Sequence, residues 1–254
     1  MQKDKLTIVK AGGRVLDTEQ ELNKLLNEFD SISGKKMLVH GGGVFINELC
    51  EKLGVETQMV NGRRITSKAT MDVVLMSCAG KLSKDLVAGL NKLGMTAVGL
   101  CGGDLNMIQS KKRNPEPIDY GMVGDVEHVN TEWLQIFIDK GVVPVVSSIS
   151  QSNNFELLNT NADTIASSLA SALAKHYNVE LFFYFDKKGV LEDADNNDSL
   201  IPELGLDKFL LMKQAKTIHT GMLPKLDNGF LALKHGVSEV KLGNKMHLGT
   251  KLFI

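Results

Sequence analysis

Ile8-Val9-Lys10-Ala11-Gly12-Gly13 is a short aliphatic run that ends in a lysine and two glycines, and Leu38-Val39-His40-Gly41-Gly42-Gly43 repeats the arrangement further on. A strand that breaks into glycine at its carboxyl end and then enters a helical pattern is the unit of an open α/β sheet. Glycine at such a turn lets backbone N–H groups approach a phosphate, and the start of the next helix favours the anion. Neither cluster is a GxxxxGK[ST] loop or a GxGxxG fingerprint. Alone, each is more often just a tight turn. Together, with Lys10 beside one of them, they point to a phosphate path.

Outward from these two turns the alternation continues. Aliphatic runs at 6–10, 37–40, 97–100, 142–147, 179–185 and 239–242 read as strands. Helical patterns cover 18–28, 44–53, 131–140, 161–176, 208–216 and 223–235. The longest helical signal is 68–93, where Met71, Val74, Leu75, Cys78, Leu82, Leu86, Leu90 and Leu93 recur every three or four residues and Gly94 supplies the stop. Strands alternating with helices predict an α/β fold with a mainly parallel sheet covered on both faces. The segment 102–129 reads as a hairpin and loop, and 191–200 as an acidic, Asn-rich surface turn. A soft boundary near Thr160 divides the chain into lobes 1–160 and 161–254.

Composition narrows the function. The 254 residues carry 29 Lys plus Arg against 30 Asp plus Glu, so no broad nucleic-acid face or polybasic membrane anchor is expected. The basic triplet Lys111–Arg113 reads as a solvated loop. Cys50, Cys78 and Cys101 are few, far apart and without CxxC spacing, which excludes a zinc or disulfide framework and suits a reducing cytosol. The apolar run at 6–9 is too short for a signal peptide, and no stretch is long enough to span a membrane. No HExxH and no GxSxG occurs, so zinc and serine hydrolases are excluded. His40 reads as a structural imidazole at a strand end.

Three further motifs follow in order: Asn61-Gly62-Arg63-Arg64-Ile65-Thr66, Leu158-Asn159-Thr160-Asn161-Ala162-Asp163 and Gly221-Met222-Leu223-Pro224-Lys225-Leu226. With the two glycine clusters they give the series KxGG, HGGG, NGxRxT, NxNAD and GMxxK. In that order and spacing the chain resembles, nearly end to end, the N-acetylglutamate kinases of the amino-acid-kinase family. The resemblance implies a three-layer α/β/α sandwich. It also implies transfer of a phosphoryl group from ATP, with Mg2+ carried by the nucleotide, to the side-chain carboxylate of an N-acyl-L-glutamate in arginine biosynthesis. Acetyl is the default acyl group, and succinyl stays open.

The resemblance also implies a set of roles. Lys10 and Lys225 contact the migrating phosphoryl group from opposite lobes, and Asp163 orients both. Gly12 and Gly13 line the ATP path, and Gly42 and Gly43 the substrate side, as backbone donors. Arg64, favoured over its neighbour Arg63, pairs with the substrate α-carboxylate, and Asn159 with Asn161 holds the acylamino group. Asp186 belongs to the nucleotide side, although Phe185 stands where the family usually has a small hydroxyl residue. The chemistry fits this set. A carboxylate nucleophile is ionised at neutral pH and needs no general base, so the obstacle is repulsion between two anions. Ammonium groups and N–H donors offset it. Two buried lysines need a carboxylate between them to stay charged.

The lobe 1–160 is expected to bind the acylglutamate and to form a homodimer through the 68–93 helix, and 161–254 to bind ATP, in the cytoplasm. Only five residues precede the first strand, which predicts no arginine inhibition of the kind that needs an extra N-terminal helix. Rival readings are a sibling kinase on the same fold, of aminoadipate or glutamate type, and a non-catalytic amino-acid or nucleotide sensor.

Overall fold

The computed structural model describes residues 3–60, 62–193, 196, 198–219 and 221–254. Asn61 of the NGxRxT motif and part of the 191–200 turn therefore lie outside the described residues. The first half of the chain runs β1 (Lys5–Ala11), α1 (Glu19–Asp30), β2 (Lys35–His40), α2 (Gly43–Lys52), β3 (Gln58–Val60) and β4 (Arg63–Ile65). It continues through α3 (Lys68–Leu75), α4 (Ser83–Lys92), β5 (Ala97–Leu100), β6 (Ile108–Lys112), β7 (Gly124–Val129), α5 (Glu132–Asp139), β8 (Val143–Ser147), β9 (Ile149–Ser152) and β10 (Leu157–Asn159). The remainder is α6 (Ala162–Leu173), β11 (Asn178–Tyr184), β12 (Glu203–Gly205), α7 (Leu206–Gln214), α8 (Leu223–Lys234), β13 (Glu239–Lys245) and β14 (Leu248–Phe253).

An eight-stranded sheet in the order β12-β14-β13-β11-β1-β2-β8-β5 forms the middle layer. All its neighbouring pairs are parallel except β13 with β14. Period-two alternation sorts the strand residues between two cores. Leu6, Ile8, Met37 and Val39 face one layer with Ile165 and Leu169 of α6, Leu134 of α5 and Phe230 of α8. Val9, Leu38, Val145 and Phe182 face the other, with Leu25 and Phe29 of α1 and Leu86 and Leu90 of α4. The chain thus folds as the expected three-layer α/β/α sandwich. No helix among the described residues is long and apolar enough to cross a membrane.

β1 lies between β2 and β11, so successive crossovers leave it in opposite directions. In an open parallel sheet such a switch point opens a crevice beyond the carboxyl ends of the strands. Lys10, Gly12 and the Gly41–Gly43 turn all sit at that end.

Two elements differ from the sequence expectation. The 68–93 helix is continuous, but Met76–Leu82 is a π segment between α3 and α4. The apolar spacing cannot register it, because Cys78 and Leu82 stay on the buried side in either geometry. The hairpin expected in 102–129 is present as β6 and β7, yet it belongs to a second sheet, β10-β9-β6-β7. β9 and β10 escape pattern reading because Ile149-Ser150-Gln151-Ser152 and Leu157-Leu158-Asn159 are short and half polar.

Candidate active site

Lys10 follows Leu6 and Ile8 on the face covered by α6, because alternate residues of a strand share a face. Asp163 sits in the first turn of α6, so the two side chains meet under that helix. Lys10 Nζ lies 2.8 Å from Asp163 Oδ1, with both side chains almost wholly buried. From the other side Lys225, in the first turn of α8, places its Nζ 3.5 Å from Asp163 Oδ2 and donates to the Gly221 carbonyl at 3.3 Å. One carboxylate thus holds two ammonium groups, one on each of its oxygens.

The electrostatics follow from that geometry. Burial pulls the Lys10 ammonium below its ordinary range; Asp163 opposes this and the Lys225 charge adds to it. Burial pushes the Asp163 carboxyl up, but the charges and hydrogen bonds of Lys10 and Lys225 outweigh it and hold the group below the usual carboxylate range. The three groups therefore stay ionised together.

The glycines do different things. A β-carbon on Gly12 would lie 2.0 Å from Lys10 Nζ, so glycine at this position leaves room for the ammonium. The Gly12 N–H is donated to the Tyr184 carbonyl at 3.1 Å, which binds β1 to β11 and corrects its expected role as a phosphate donor. Gly13 opens the 3-10 turn Gly13–Leu16 at the end of β1. Gly42 caps α2, and its missing side chain admits Leu82 Cδ1 and Cys78 Sγ of the π segment, which a β-carbon would meet at 2.6 and 3.0 Å. Among the described residues the N–H groups of Gly42 and Gly43 have no acceptor, so this turn presents free donors at a helix N-terminus.

Arg64 on β4 is buried, with one amino nitrogen donating to the Gly43 carbonyl at 3.1 Å and the other without a partner among the described residues. No carboxylate pairs with it there, and burial pulls its pKa down. A buried guanidinium left in this state is poised for an anion from outside. Arg63 is exposed, as the motif reading requires. Thr66, fully buried, connects the pieces: its hydroxyl donates to the Arg64 carbonyl at 3.2 Å and accepts from Asn159 Nδ2 at 3.0 Å. Thr66 is the residue sequence reasoning passed over, although it closes the NGxRxT motif.

Asn161 plays another part than expected. Its Oδ1 accepts from the N–H groups of Asp163 at 2.8 Å and Thr164 at 3.1 Å, making it the N-cap that starts α6 and fixes Asp163. Asp186 stands on the exposed turn after β11, away from the lysine pair's ion contacts. Burial pushes the Asp17 carboxyl up, and Glu48 and Asp186 add to it, so these carboxylates share the outer mouth. Phe185 fills the position of the usual hydroxyl residue, with its ring 5.9 Å from the Lys225 ammonium.

A family model described as the amino acid kinase family matches residues 5–244. The chain belongs to the amino acid kinase family. Within this family it is 47% identical over 238 residues to the acetylglutamate kinase of Phocaeicola vulgatus, covering 94% of this chain and 93% of the relative. It is also 35% identical to that of Methanopyrus kandleri, covering 94% and 95%. Among solved structures, smu.665 from Streptococcus mutans UA159 superposes with a TM-score of 0.85 at 26% identity, over 97% of this chain and 98% of the other. The N-acetylglutamate synthase of Neisseria gonorrhoeae shares the fold at 18% identity, with a TM-score of 0.81 over 100% of this chain and 60% of that one. The amino acid kinase fold accounts for the placement of Lys10, Asp163 and Lys225 at the sheet's carboxyl edge.

Proposed function

We propose that the chain catalyses ATP-dependent phosphorylation of the side-chain carboxylate of N-acetyl-L-glutamate, giving the acyl phosphate, as a cytoplasmic step of arginine biosynthesis. The curated relatives, named acetylglutamate kinase across nearly the whole chain, support the activity. The observation that carries it in the structure is one carboxylate holding two ammonium groups, beside a buried arginine without an acidic partner.

In this reading Arg64 takes the substrate α-carboxylate with its planar fork, and Asn159, steadied by Thr66, takes the acylamino group. The γ-carboxylate then faces the terminal phosphate of ATP. Its charge repels the incoming phosphoryl group, and the chain's contribution is alignment and charge compensation. Lys10 bridges toward the equatorial oxygens from β1 and Lys225 from α8, while Gly42 and Gly43 offer N–H donors. Asp163 keeps the ammonium groups charged and apart. Because its oxygens are taken by the lysines, magnesium is assigned to the nucleotide phosphates rather than to a carboxylate of this pair.

The lobe 1–160 is assigned the acylamino acid and 161–254 the nucleotide, with a homodimer built on the Lys68–Lys92 helix. The reading is tested by trapping the product with hydroxylamine. Purified protein with MgATP and N-acetylglutamate should give a hydroxamate and ADP in equal amounts. N-succinylglutamate, glutamate and aminoadipate in parallel assays separate the sibling kinases. Absence of hydroxamate with every substrate would leave a sensor role instead.

A further inference from the structure

We propose that His40 is a positioning residue that turns the peptide between Gly41 and Gly42 so that the Gly42 N–H faces the phosphoryl path. The proposal rests on the kinase reading above and adds to it a group that needs no contact with substrate. His40 is the last residue of β2 and is fully buried. Its Nδ1 lies 2.9 Å from the Gly41 carbonyl oxygen. A carbonyl only accepts, so Nδ1 carries the proton and Nε2 is the bare nitrogen. That Nε2 is buried and has no hydrogen-bond partner among the described residues. Burial, with the charge of Lys10 adding to it, pushes the imidazole pKa down to about 4, so the neutral form persists at physiological pH.

The Gly41 carbonyl and the Gly42 N–H belong to one planar trans peptide and point to opposite sides of it. Holding the carbonyl against the imidazole therefore aims the N–H the other way, and that N–H has no acceptor among the described residues. The restraint is needed because two glycines in series let a peptide rotate with little steric resistance. A side chain at Gly42 could not supply it, since Leu82 Cδ1 and Cys78 Sγ occupy the space. The imidazole does so from the strand.

The two carboxamide substitutions separate this role from mere filling of space. In His40→Asn the amide nitrogen replaces Nδ1 and can still hold the carbonyl. In His40→Gln it replaces Nε2 and cannot. In the hydroxylamine assay H40N should keep kcat within about threefold of the parent, and H40Q should lose roughly tenfold to a hundredfold, below the scale for deleting a transition-state donor outright. The KM for N-acetylglutamate should change little in either. H40Q as active as H40N, or equal losses of kcat in both, would overturn the proposal. A readout independent of turnover is the 15N spectrum of the unsubstituted protein, which should show a protonated Nδ1 and a bare Nε2 between about pH 5 and about pH 8. The opposite tautomer would overturn it whatever the substrate proves to be. An inactive parent with the expected tautomer would end the kinase reading and leave the peptide restraint standing.

Discussion

The ammonium of Lys10 occupies the space that a side chain at Gly12 would need: an ideal β-carbon at Gly12 lies 2.0 Å from Lys10 Nζ and 3.2 Å from its Cε. The clash falls on the end of a flexible side chain, so Gly12→Ala should fold with nearly unchanged stability. The lysine, however, would have to leave its place beside Asp163. A displacement on the order of 1 Å at a reacting group lowers kcat by about a hundredfold. Normal turnover by G12A, with an unaltered melting temperature, would show that Lys10 is not at the phosphoryl group.

Lys225→Ala removes the second ammonium, and with it one donor to the transition state. The expected loss is roughly 10²–10³ in kcat, with a smaller change in KM. Steady-state kinetics with varied ATP and varied N-acetylglutamate measure both. An effect confined to KM would make Lys225 a ground-state binding group only.

Asp163 links activity to stability. Its folded-state pKa lies below its unfolded value, so its ion pairs contribute fully above the unfolded pKa, and the contribution is lost as pH falls through the folded one. Asp163→Asn leaves buried ammonium groups without a counter-charge and should cost about 3–5 kcal/mol near neutral pH. Denaturant melts should show the gap between parent and variant narrowing toward acid. A gap that stays constant down to strongly acidic pH would contradict the ion-pair account.

The alkaline side reports on Lys10. Because burial holds its pKa below the ordinary lysine value, kcat should decline at lower pH than a free ammonium would give. Lys10→Arg puts a group there that does not titrate in this range, so whatever activity it keeps should lack that decline. An identical alkaline limb in K10R would assign the titration to another group.

Arg64 is costly to the free protein, being buried with one nitrogen unpartnered. Arg64→Met should therefore keep or raise the melting temperature. Its KM for N-acetylglutamate should rise about tenfold to a hundredfold, the equivalent of one or two charge-assisted hydrogen bonds at about 1.5–3 kcal/mol each. Substrate should raise the melting temperature of the parent and not of R64M. Loss of stability in R64M without change in KM would reverse the assignment.

The fold was legible where pattern and function coincide. The turns at Gly12 and Gly41–Gly43 announce strand ends, and the aliphatic runs around Ile8, Leu38, Val145 and Phe182 give the central strands. Lys10, Asp163 and Lys225 were assigned by motif, and the structure brings them to one point. What the sequence could not yield is the use of individual atoms. Nothing local says that the Gly12 N–H goes to Tyr184, that Asn161 spends its Oδ1 on a helix cap, or that Thr66 ties Arg64 to Asn159. These partners are far apart in the chain and meet only after the sheet has formed. The short strands β9 and β10 were hidden for a related reason: their pairing, not their composition, makes them strands.

The π segment at Met76–Leu82 gives the long helix one residue more than unbroken α geometry would hold over the same turn. Each residue advances the helix by roughly 100°, so deleting any one of these seven would let the turn close and swing Ser83–Lys92 around its axis. Leu86 and Leu90 would then leave their seats against the sheet, and Cys78 and Leu82 would lose their grip on the Gly42 turn. The length of this stretch is thereby frozen: it can drift by exchange of residues, but a one-codon deletion would strike the sheet and the phosphate loop together.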